Sequence, residues 1–442
     1  MPNFEDTEPL LSANTREYVG DTAFSNDKLD RKKLAEQLTG YLERLNDGSV
    51  LAIDAPWGEG KTWFGKNWNK HLQDLGHKTI YIDAFEQDYI EDPFVLLSSE
   101  ILELIEEDSL QDNLKKNSIA VAKALLPTIG KIAINAGGKF LLGTTNISDE
   151  IREITENGTS HFAELASSFI EDNLESYSQD KVAMKEFKKN LADFANMQDK
   201  PIVIFIDELD RCKPDFAVNV IERVKHFFDV PNVIFVLLLN REQLEKAVKG
   251  VYGLETDASA YLGKFVNFFF SLPKPLYDGV NYEQRQLAFI KLTMKKYKFK
   301  RDNGEHDGFI AHLRLWAKYF KMSLRDIEKV VALYSFSGLI GEGNGILIYL
   351  ISLKIKTPDL YKKLVLGDIE AHETAKKMLE KFMEIDNQAY LNFFITWHEA
   401  YKTNFSNINE SFINQLPFRY KHQACYDRMF QDFANLIDLS ID

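Results

Sequence analysis

The chain has 442 residues, 45% of them hydrophobic and 27% charged, which is typical of a globular protein with room for two or three domains. Its formal net charge of −14 excludes nucleic-acid binding by the surface as a whole, so any such binding needs a local basic face. Two cysteines, Cys212 and Cys425, supply no disulfide framework or metal-ligand set, and they fit a reducing cytoplasm.

The first part of the chain predicts a leader, a helix and a strand. Residues 1–26 are polar and acidic, without the apolar core of a secretory signal, and indicate a flexible leader. Apolar side chains recur at helical spacing over Asp27–Leu45 and predict a helix. The short apolar run Val50–Ile53 then predicts a strand.

The next segment, APWGEGKT, predicts a phosphate-binding loop. The pattern G-x-x-x-x-G-K-[ST] wraps phosphates in backbone N–H groups, and its lysine reaches the β- and γ-phosphates. Gly60, Lys61 and Thr62 match its second half, and Ala55 replaces the first glycine, which alanine can do wherever φ stays negative. A predicted helix after the loop would place phosphate at a helix N-terminus. The residues expected to contact the nucleotide are Ala55, Pro56, Trp57, Gly58, Glu59, Gly60, Lys61, Thr62 and Trp63.

A second strand is predicted at Thr79–Ile82, and residues 93–200 predict a mainly helical insert. Within the insert, residues 118–144 are apolar but are interrupted by three lysines. A membrane-spanning helix needs about 20 predominantly apolar residues. We therefore expect a buried or partner-binding amphipathic helix there, and no integral membrane insertion.

A second motif follows the continuous apolar strand that is predicted at Pro201–Ile206. Asp207 and Glu208 come directly after this strand, where an aspartate can hold Mg²⁺ directly or through water. A solvated acidic turn is the alternative. Open α/β sheets bind ligands at the carboxyl ends of their strands, and both motifs stand at such ends. We assign Mg²⁺ to Thr62 and Asp207, and the role of general base to Glu208.

The remaining elements complete an α/β core. A helix is predicted at Asp215–Phe228, a strand at Asn232–Leu239 and a helix at Glu242–Val248. Strands that alternate with helices predict a parallel sheet. Asn240 follows a strand and would either orient the attacking water or cap the strand end. From about Tyr282 onward only helical patterns occur.

Five sequence blocks resemble the KAP family of P-loop NTPases, and they come in the family's order over residues 25–335. They are APWGEGKT, IDAFEQDYIEDPF, IVIFIDELDRCKP, YLGKFVNFFFSLP and SLRDIEKVV. The resemblance implies ATP hydrolysis and, for bacterial members, a frequent setting in phage defence or mobile elements. The chain departs from the family in two respects. Many members carry transmembrane helices in the insert, whereas none is expected here. Many members have Asp-Asp where this chain has Asp207-Glu208.

The resemblance also implies roles for two arginines. Arg325 matches the arginine of the family's helical lid, which would sense the γ-phosphate; the alternative is an ion pair with Glu328 or another acid. Arg211 would act as an arginine finger or fix the loop after the strand by pairing with Asp210 or a neighbouring acid.

The predicted fold is thus an α/β, parallel-sheet P-loop NTPase core with a helical insert and an α-helical C-terminal region. Its predicted parts are a leader at 1–26, a core at 27–280 that contains the insert 93–200, a helical lid at 281–358 and a C-terminal helical region at 359–442.

The basic stretch 291–301 is the candidate surface for a nucleic-acid partner. Lysines interleave with Tyr297 and Phe299 over 291–301, which suits nucleic-acid stacking, although charge runs are more often solvated faces. We expect a cytoplasmic ATPase that binds ATP and Mg²⁺ and acts as a conformational switch for an effector or regulatory protein. Assembly into homo-oligomers is left open. The competing functions are a nucleic-acid-stimulated motor or clamp and a non-hydrolysing scaffold stabilised by ATP.

Overall fold

The structure, a computed structural model, describes most of the chain. The described residues are 20–45, 47–89, 93–104, 132–134, 140–142, 185, 187–225, 230–274, 281–297, 303–337, 339, 342–384, 389–406, 408–422, 426 and 428–438. Contacts divide the chain into two compact units. The sheet unit contains Glu17–Pro56 and Lys61–Pro273, and the helical unit contains Trp57–Gly60 together with Lys274–Asp442.

A five-stranded parallel sheet forms the centre of the sheet unit, in the order β2-β5-β6-β1-β7. The strands of the described residues are β1 (Ser49–Asp54), β2 (Thr79–Asp83), β3 (Ile132–Ile134), β4 (Phe140–Leu142), β5 (Ile202–Asp207), β6 (Val233–Leu239) and β7 (Phe268–Ser271). In the register of the sheet, Asp207 lies opposite Asp83 on one side and Leu238 on the other. The carboxyl ends of these strands therefore meet at one edge.

Helices cover both faces of this sheet. They are α1 (Arg31–Leu42), α2 (Lys61–Asp74), α3 (Pro93–Leu104), α4 (Pro214–Val224), α5 (Arg241–Tyr252) and α6 (Ala258–Leu262). Alternate residues of β5 enter the two cores: Ile204 and Ile206 belong to one, and Val203 and Phe205 to the other. Because β5 and β6 are buried on both faces, they are apolar along their whole length, as buried parallel strands are.

The helical unit is built around one helix that is buried on every side. Its helices are α7 (Tyr282–Lys296), α8 (Asn303–Phe320), α9 (Leu324–Phe336), α10 (Asn344–Lys356), α11 (Pro358–Val365), α12 (Ile369–Met383), α13 (Ala389–Lys402), α14 (Glu410–Gln415) and α15 (Met429–Asp438). All residues from Gly345 to Leu353 of α10 are buried. Aromatic rings of Trp316 and Phe394 pack against Tyr349 of this helix at centroid distances of 4.6 and 4.4 Å.

The structure differs from the sequence-based expectations in three elements. Helix α1 begins at Arg31 because the carboxylate of Asp27 accepts the backbone N–H groups of Leu29 and Lys32, both at 2.9 Å, and forms a turn before the helix. Strand β7 was not predicted. It is an edge strand with two partly exposed and two exposed residues, so it lacks the pattern of the buried strands.

The third difference lies in the insert, where β3 and β4 pair antiparallel and helix was predicted. The sequence between them contains Gly137-Gly138, which disfavours helix and favours a tight turn. Elsewhere in the insert, α3 and residues 187–196 are helical. Most of 118–144 lies outside the described residues. No helix in the described ranges combines the length and apolarity needed to cross a membrane.

The domain boundaries stay predictions. Residues 1–19 of the leader lie outside the described residues, whereas Phe24 is buried and its N–H donates to Asn67 Oδ1 of α2 at 2.8 Å. The division of the helical unit into a lid at 281–358 and a C-terminal region at 359–442 likewise stays a prediction.

Candidate nucleotide site

The predicted phosphate loop, residues 55–62, joins β1 to α2. Ala55 is buried and its N–H donates to Leu239 O at 3.2 Å, so the loop begins with one amide committed to β6. Gly58 and Gly60 have φ of 86° and 78°, in the left-handed region that other residues rarely adopt. Glycine is therefore favoured at both positions. The alanine at 55 is tolerated because it lacks such a positive φ.

Lys61 begins helix α2 and is buried. Its ammonium group donates to Ala55 O at 2.7 Å and to Pro56 O at 3.4 Å, both within the same loop. Burial lowers the pKa of Lys61, and the carboxylates of Asp210, Asp207, Glu208 and Asp54 act in the opposite direction. The nearby carboxylates thus offset part of the cost of burying the ammonium group.

Thr62 connects the two sequence motifs. Its hydroxyl donates to Glu208 Oε1 at 3.1 Å, across 146 positions of the chain. The sheet makes this contact possible, because β1 and β5 flank β6 and end at the same edge. The prediction that the two motifs meet at the carboxyl ends of parallel strands agrees with this geometry.

Asp207 is fully buried at the end of β5. Its Oδ2 accepts the hydroxyl of Tyr81 at 2.8 Å, and its Oδ1 accepts the backbone N–H of Glu208 at 2.8 Å. Burial raises the pKa of the Asp207 carboxyl, and the hydrogen bonds from Tyr81 and from the backbone of Glu208 oppose that rise. A buried carboxylate whose pKa is raised by desolvation is a group that a nearby cation would stabilise.

Glu208 follows with φ of 60°, again in the left-handed region. The Nε of Arg211 lies 2.6 Å from Glu208 Oε2. Burial raises the pKa of Glu208, the neighbouring Asp207 charge adds to the rise, and Arg211 opposes it. Of the two partners predicted for Arg211, Asp210 and a neighbouring acid, the structure shows a neighbouring acid, and it is the predicted base itself.

Asn240 stands at the end of β6 and caps α5. Its Oδ1 accepts the backbone N–H of Gln243 at 3.4 Å, and its side chain is mostly buried. The capping alternative therefore describes its contact in this structure. Capping uses the carbonyl oxygen of the amide, whereas orienting a water would use the NH₂ group, so the two roles are compatible.

Arg325 lies in the first turn of α9, within the helical unit. Its backbone N–H donates to Gly58 O at 3.2 Å. Ser323 caps this helix: its hydroxyl accepts from Asp326 N at 3.2 Å, and the Asp326 carboxylate accepts from Ser323 N at 3.0 Å. The ion-pair alternative named Glu328, but Glu328 lies 3.7 Å from the ammonium group of Lys296.

That ion pair also bears on the predicted basic stretch at 291–301. Lys296 lies 5.5 Å from the ring centroid of Tyr297, and burial raises the pKa of Tyr297. Residues 298–301 lie outside the described residues. The described end of the stretch therefore contacts α9 through Lys296, and nucleic-acid binding at 291–301 stays a prediction.

Two contacts of the site were not predicted from the sequence. Tyr81 holds Asp207, and Asp54 Oδ1 accepts the backbone N–H of Arg241 at 2.9 Å. For Tyr81 a weak signal exists. It lies two residues before Asp83, which pairs with Asp207, so its side chain shares a sheet face with Asp207 once the register is known.

Comparison with known proteins identifies the family. The model of the KAP family P-loop domain matches residues 31–340, well over half of the chain. The chain belongs to the KAP family. As a KAP protein it is a nucleotide-binding P-loop protein with an α/β core, a parallel five-stranded sheet and a helical C-terminal region.

Two relatives share parts of the KAP chain. The phage T7 exclusion protein of Escherichia coli K12 is 31% identical over 90 residues, which are 20% of this chain and 12% of that protein. An uncharacterized protein of Methanocaldococcus jannaschii is 30% identical over 144 residues, 28% of this chain and 72% of that protein. The match thus spans only a small part of the phage exclusion protein.

Among solved structures, the KAP chain is similar to two Aeropyrum pernix proteins. The ORC2 protein, solved as ADPNP–ADP complexes, has 12% sequence identity and a TM-score of 0.36, with 96% of this chain and 98% of that chain covered. The ORC1 protein, solved in complex with DNA, has 13% identity and a TM-score of 0.34, with 96% and 85% covered. At these TM-scores the likeness carries no conclusion about this chain.

Proposed function

We propose that this KAP protein binds ATP with Mg²⁺, hydrolyses it in the cytoplasm and uses the cycle as a conformational switch for a partner protein. The observation that carries the proposal is the hydrogen bond between Thr62 and Glu208, because it joins a phosphate loop to a carboxylate pair. Lys61, at the start of α2, would neutralise the β- and γ-phosphates. The loop residues Ala55 to Trp63 would surround them.

Mg²⁺ fits the residues present. The ion prefers oxygen ligands, and Thr62 offers a hydroxyl and Asp207 a buried carboxylate whose pKa is raised by burial. Thr62 and Asp207 would therefore hold it. When bound, the ion would neutralise charge that develops on the phosphates.

The chemistry of the chain's own residues follows from their positions. Glu208 would accept a proton from the attacking water, and the NH₂ group of Asn240 would orient that water. Arg325 would contact the γ-phosphate and bias the helical unit, since only a contact that differs between ATP and ADP shifts a conformational equilibrium. Phage defence is the proposed setting, and it is supported by the matched segment of the phage exclusion protein.

Three variants test the proposal. Lys61→Ala is expected to lose ATP binding in calorimetry, because it removes the cation of the loop. Glu208→Gln should bind ATP but lose turnover by about 10²–10⁴-fold, the usual contribution of a general base. Asp207→Asn should weaken binding only when Mg²⁺ is present.

Matched controls are available on the same elements. Lys70 pairs with Asp74 on α2, and Glu242 is an exposed residue in the first turn of α5. Lys70→Ala and Glu242→Gln should leave binding and turnover at the parent level. ATP binding by the parent without any turnover would favour the non-hydrolysing scaffold. Turnover that requires DNA or RNA would favour the motor or clamp.

A further inference from the structure

Glu208, the residue proposed as the general base, is in contact at both its backbone and its side-chain polar atoms. The N–H of Glu208 donates to Asp207 Oδ1 at 2.8 Å, and its carbonyl oxygen accepts from Arg211 N at 3.0 Å and from Cys212 Sγ at 3.6 Å. Its Oε1 accepts from the Thr62 hydroxyl at 3.1 Å, and its Oε2 lies 2.6 Å from Arg211 Nε. The position of the carboxylate is therefore fixed by its surroundings.

The backbone explains how Arg211 reaches this carboxylate. With φ of 60°, Glu208 occupies a region that residues other than glycine and asparagine seldom adopt. It precedes the one-turn 3₁₀ helix Leu209–Arg211, and this turn brings Arg211 back over the side chain of Glu208. Strained backbone of this kind persists where its surroundings enforce it, and it is concentrated at functional sites.

We propose that Arg211 is a positioning residue that restrains Glu208, and that their ion pair must open before Glu208 can act as a base. The inference rests on the proposed ATP hydrolysis. The ion pair would restrain the hydrolysis step. In that step a proton of water passes to Glu208 Oε2, the water oxygen bonds to the γ-phosphorus, and the bond to the departing ADP oxygen breaks. A guanidinium bonded to Oε2 stabilises the anionic carboxylate and occupies the oxygen that the proton would reach.

The ion pair is placed where it can open. The side chain of Arg211 is 29% exposed and that of Glu208 is 13% exposed, so water can solvate the guanidinium when it leaves. The other contacts of Glu208 do not involve Arg211: the Thr62 hydroxyl would still orient the carboxylate, and Asp207 would still hold the backbone N–H. Loss of the arginine therefore releases the base without removing its support.

The test compares turnover with binding. Arg211→Ala should raise kcat roughly five- to tenfold, the order expected for the net contribution of one typical hydrogen bond, because the pair is partly exposed, and should leave KM for ATP within about twofold. Arg211→Gln should raise kcat in the same direction, and Arg211→Lys, which keeps the cation, should raise it less. Affinity for a non-hydrolysable ATP analogue in calorimetry should be unchanged, because Arg211 contacts Glu208 and not the loop.

Two controls make the result specific. In Arg211→Ala/Glu208→Gln the increase should vanish, because it acts through the carboxylate. Arg419, an exposed arginine paired with Asp432 in the helical unit, gives Arg419→Ala as a variant with the parent rate.

Failure of the Arg211 restraint and failure of the proposed ATP hydrolysis would give different results. A kcat that is unchanged or lower in both Arg211→Ala and Arg211→Gln, in a protein whose turnover depends on Glu208, overturns the restraint and leaves the proposed function standing. Absence of turnover in the parent and in all Arg211 variants, with ATP binding retained, overturns both.

Discussion

Asp207 shows how a single residue is prepared for a cation. It is fully buried, and each of its carboxylate oxygens accepts one hydrogen bond, from Tyr81 and from the backbone of Glu208. The ring of Tyr81 stacks on Phe205 at a centroid distance of 5.8 Å, which fixes the direction of its hydroxyl. Tyr81 is thus the described side chain that most directly supports the negative charge of Asp207.

Removal of this hydroxyl should destabilise the fold. Tyr81→Phe keeps the stacked ring but leaves a buried carboxylate with one donor fewer, a change that typically costs about 1–3 kcal/mol. We expect a loss of this size in the free energy of unfolding, measured with urea in the absence of nucleotide. Tyr89 is 71% exposed, and Tyr89→Phe should change the same quantity by less than about 0.5 kcal/mol. Equal effects of the two variants would contradict the role of Tyr81.

At the scale of elements, the first turn of α9 contacts Gly58. A Cβ added to Gly58 would come within 2.6 Å of Ser323 Oγ and 3.0 Å of Arg325 Cβ. Ser323 and Asp326 cap the helix reciprocally, and Lys356 Nζ of α10 bonds Asp326 Oδ2 at 2.9 Å. The glycine therefore meets a rigid turn that is anchored to the centre of the helical unit.

The cost of crowding this contact can be measured by comparing alanine substitutions at Gly58 and at Gly76, a glycine with a similar φ. Gly58 and Gly76 have φ of 86° and 89°, but a Cβ at Gly76 would meet nothing within 4 Å. Alanine at either position costs about 1–2 kcal/mol of backbone strain, and Gly58→Ala should cost roughly 1–3 kcal/mol more through overpacking. Amide hydrogen exchange at Arg325 should also become faster in Gly58→Ala and stay unchanged in Gly76→Ala. Equal losses in unfolding free energy, with the exchange rate at Arg325 unaltered, would argue against a tight contact.

The sequence predicted those elements whose signal is local. Strands β5 and β6 were predicted because burial on both faces makes them apolar throughout, and both motifs were placed at the carboxyl ends of predicted strands. The contact of Tyr81 with Asp207 was not predicted, and the acid expected to pair with Arg211 was not identified as Glu208. Tyr81 depends on the register between β2 and β5, and Arg211 depends on the left-handed φ of Glu208.

For the whole molecule, the buried histidines of the helical unit link stability to pH. His372 Nδ1 lies 2.9 Å from His398 Nδ1, and His398 Nε2 lies 2.9 Å from the Tyr349 hydroxyl. His372 stacks on Tyr401 with a centroid distance of 3.7 Å. Burial lowers the pKa of His372 to about 4 and that of His398 well below its usual 6.5; the nearby charge of Asp368 only partly opposes this for His372.

Acid should therefore weaken the fold through this pair. Between about pH 6.5 and 4 the unfolded chain binds protons that the folded imidazoles do not, so the unfolding free energy falls as pH falls, by about 1.4 kcal/mol per pH unit for each fully titrating histidine. The loss is absent above pH 6.5. In a His372→Phe/His398→Leu variant, urea titrations at several pH values should show a shallower slope. His422, an exposed histidine, provides His422→Gln as the control with the parent slope. A slope common to all three proteins would assign the acid sensitivity to other groups.

The burial of α10 from Gly345 to Leu353 also shapes how this protein can diverge. Helices on a protein surface accept change along their wet side, where a new side chain simply extends into solvent. From Gly345 to Leu353 there is no such side, and a methyl group on Gly345 alone would strike the hydroxyl of Tyr390. A substitution in this helix must be matched by another in a neighbour, because a close-packed interior responds to even one extra methylene. Descendants of this chain should therefore change α10 in correlated pairs, while the outer helices drift one position at a time.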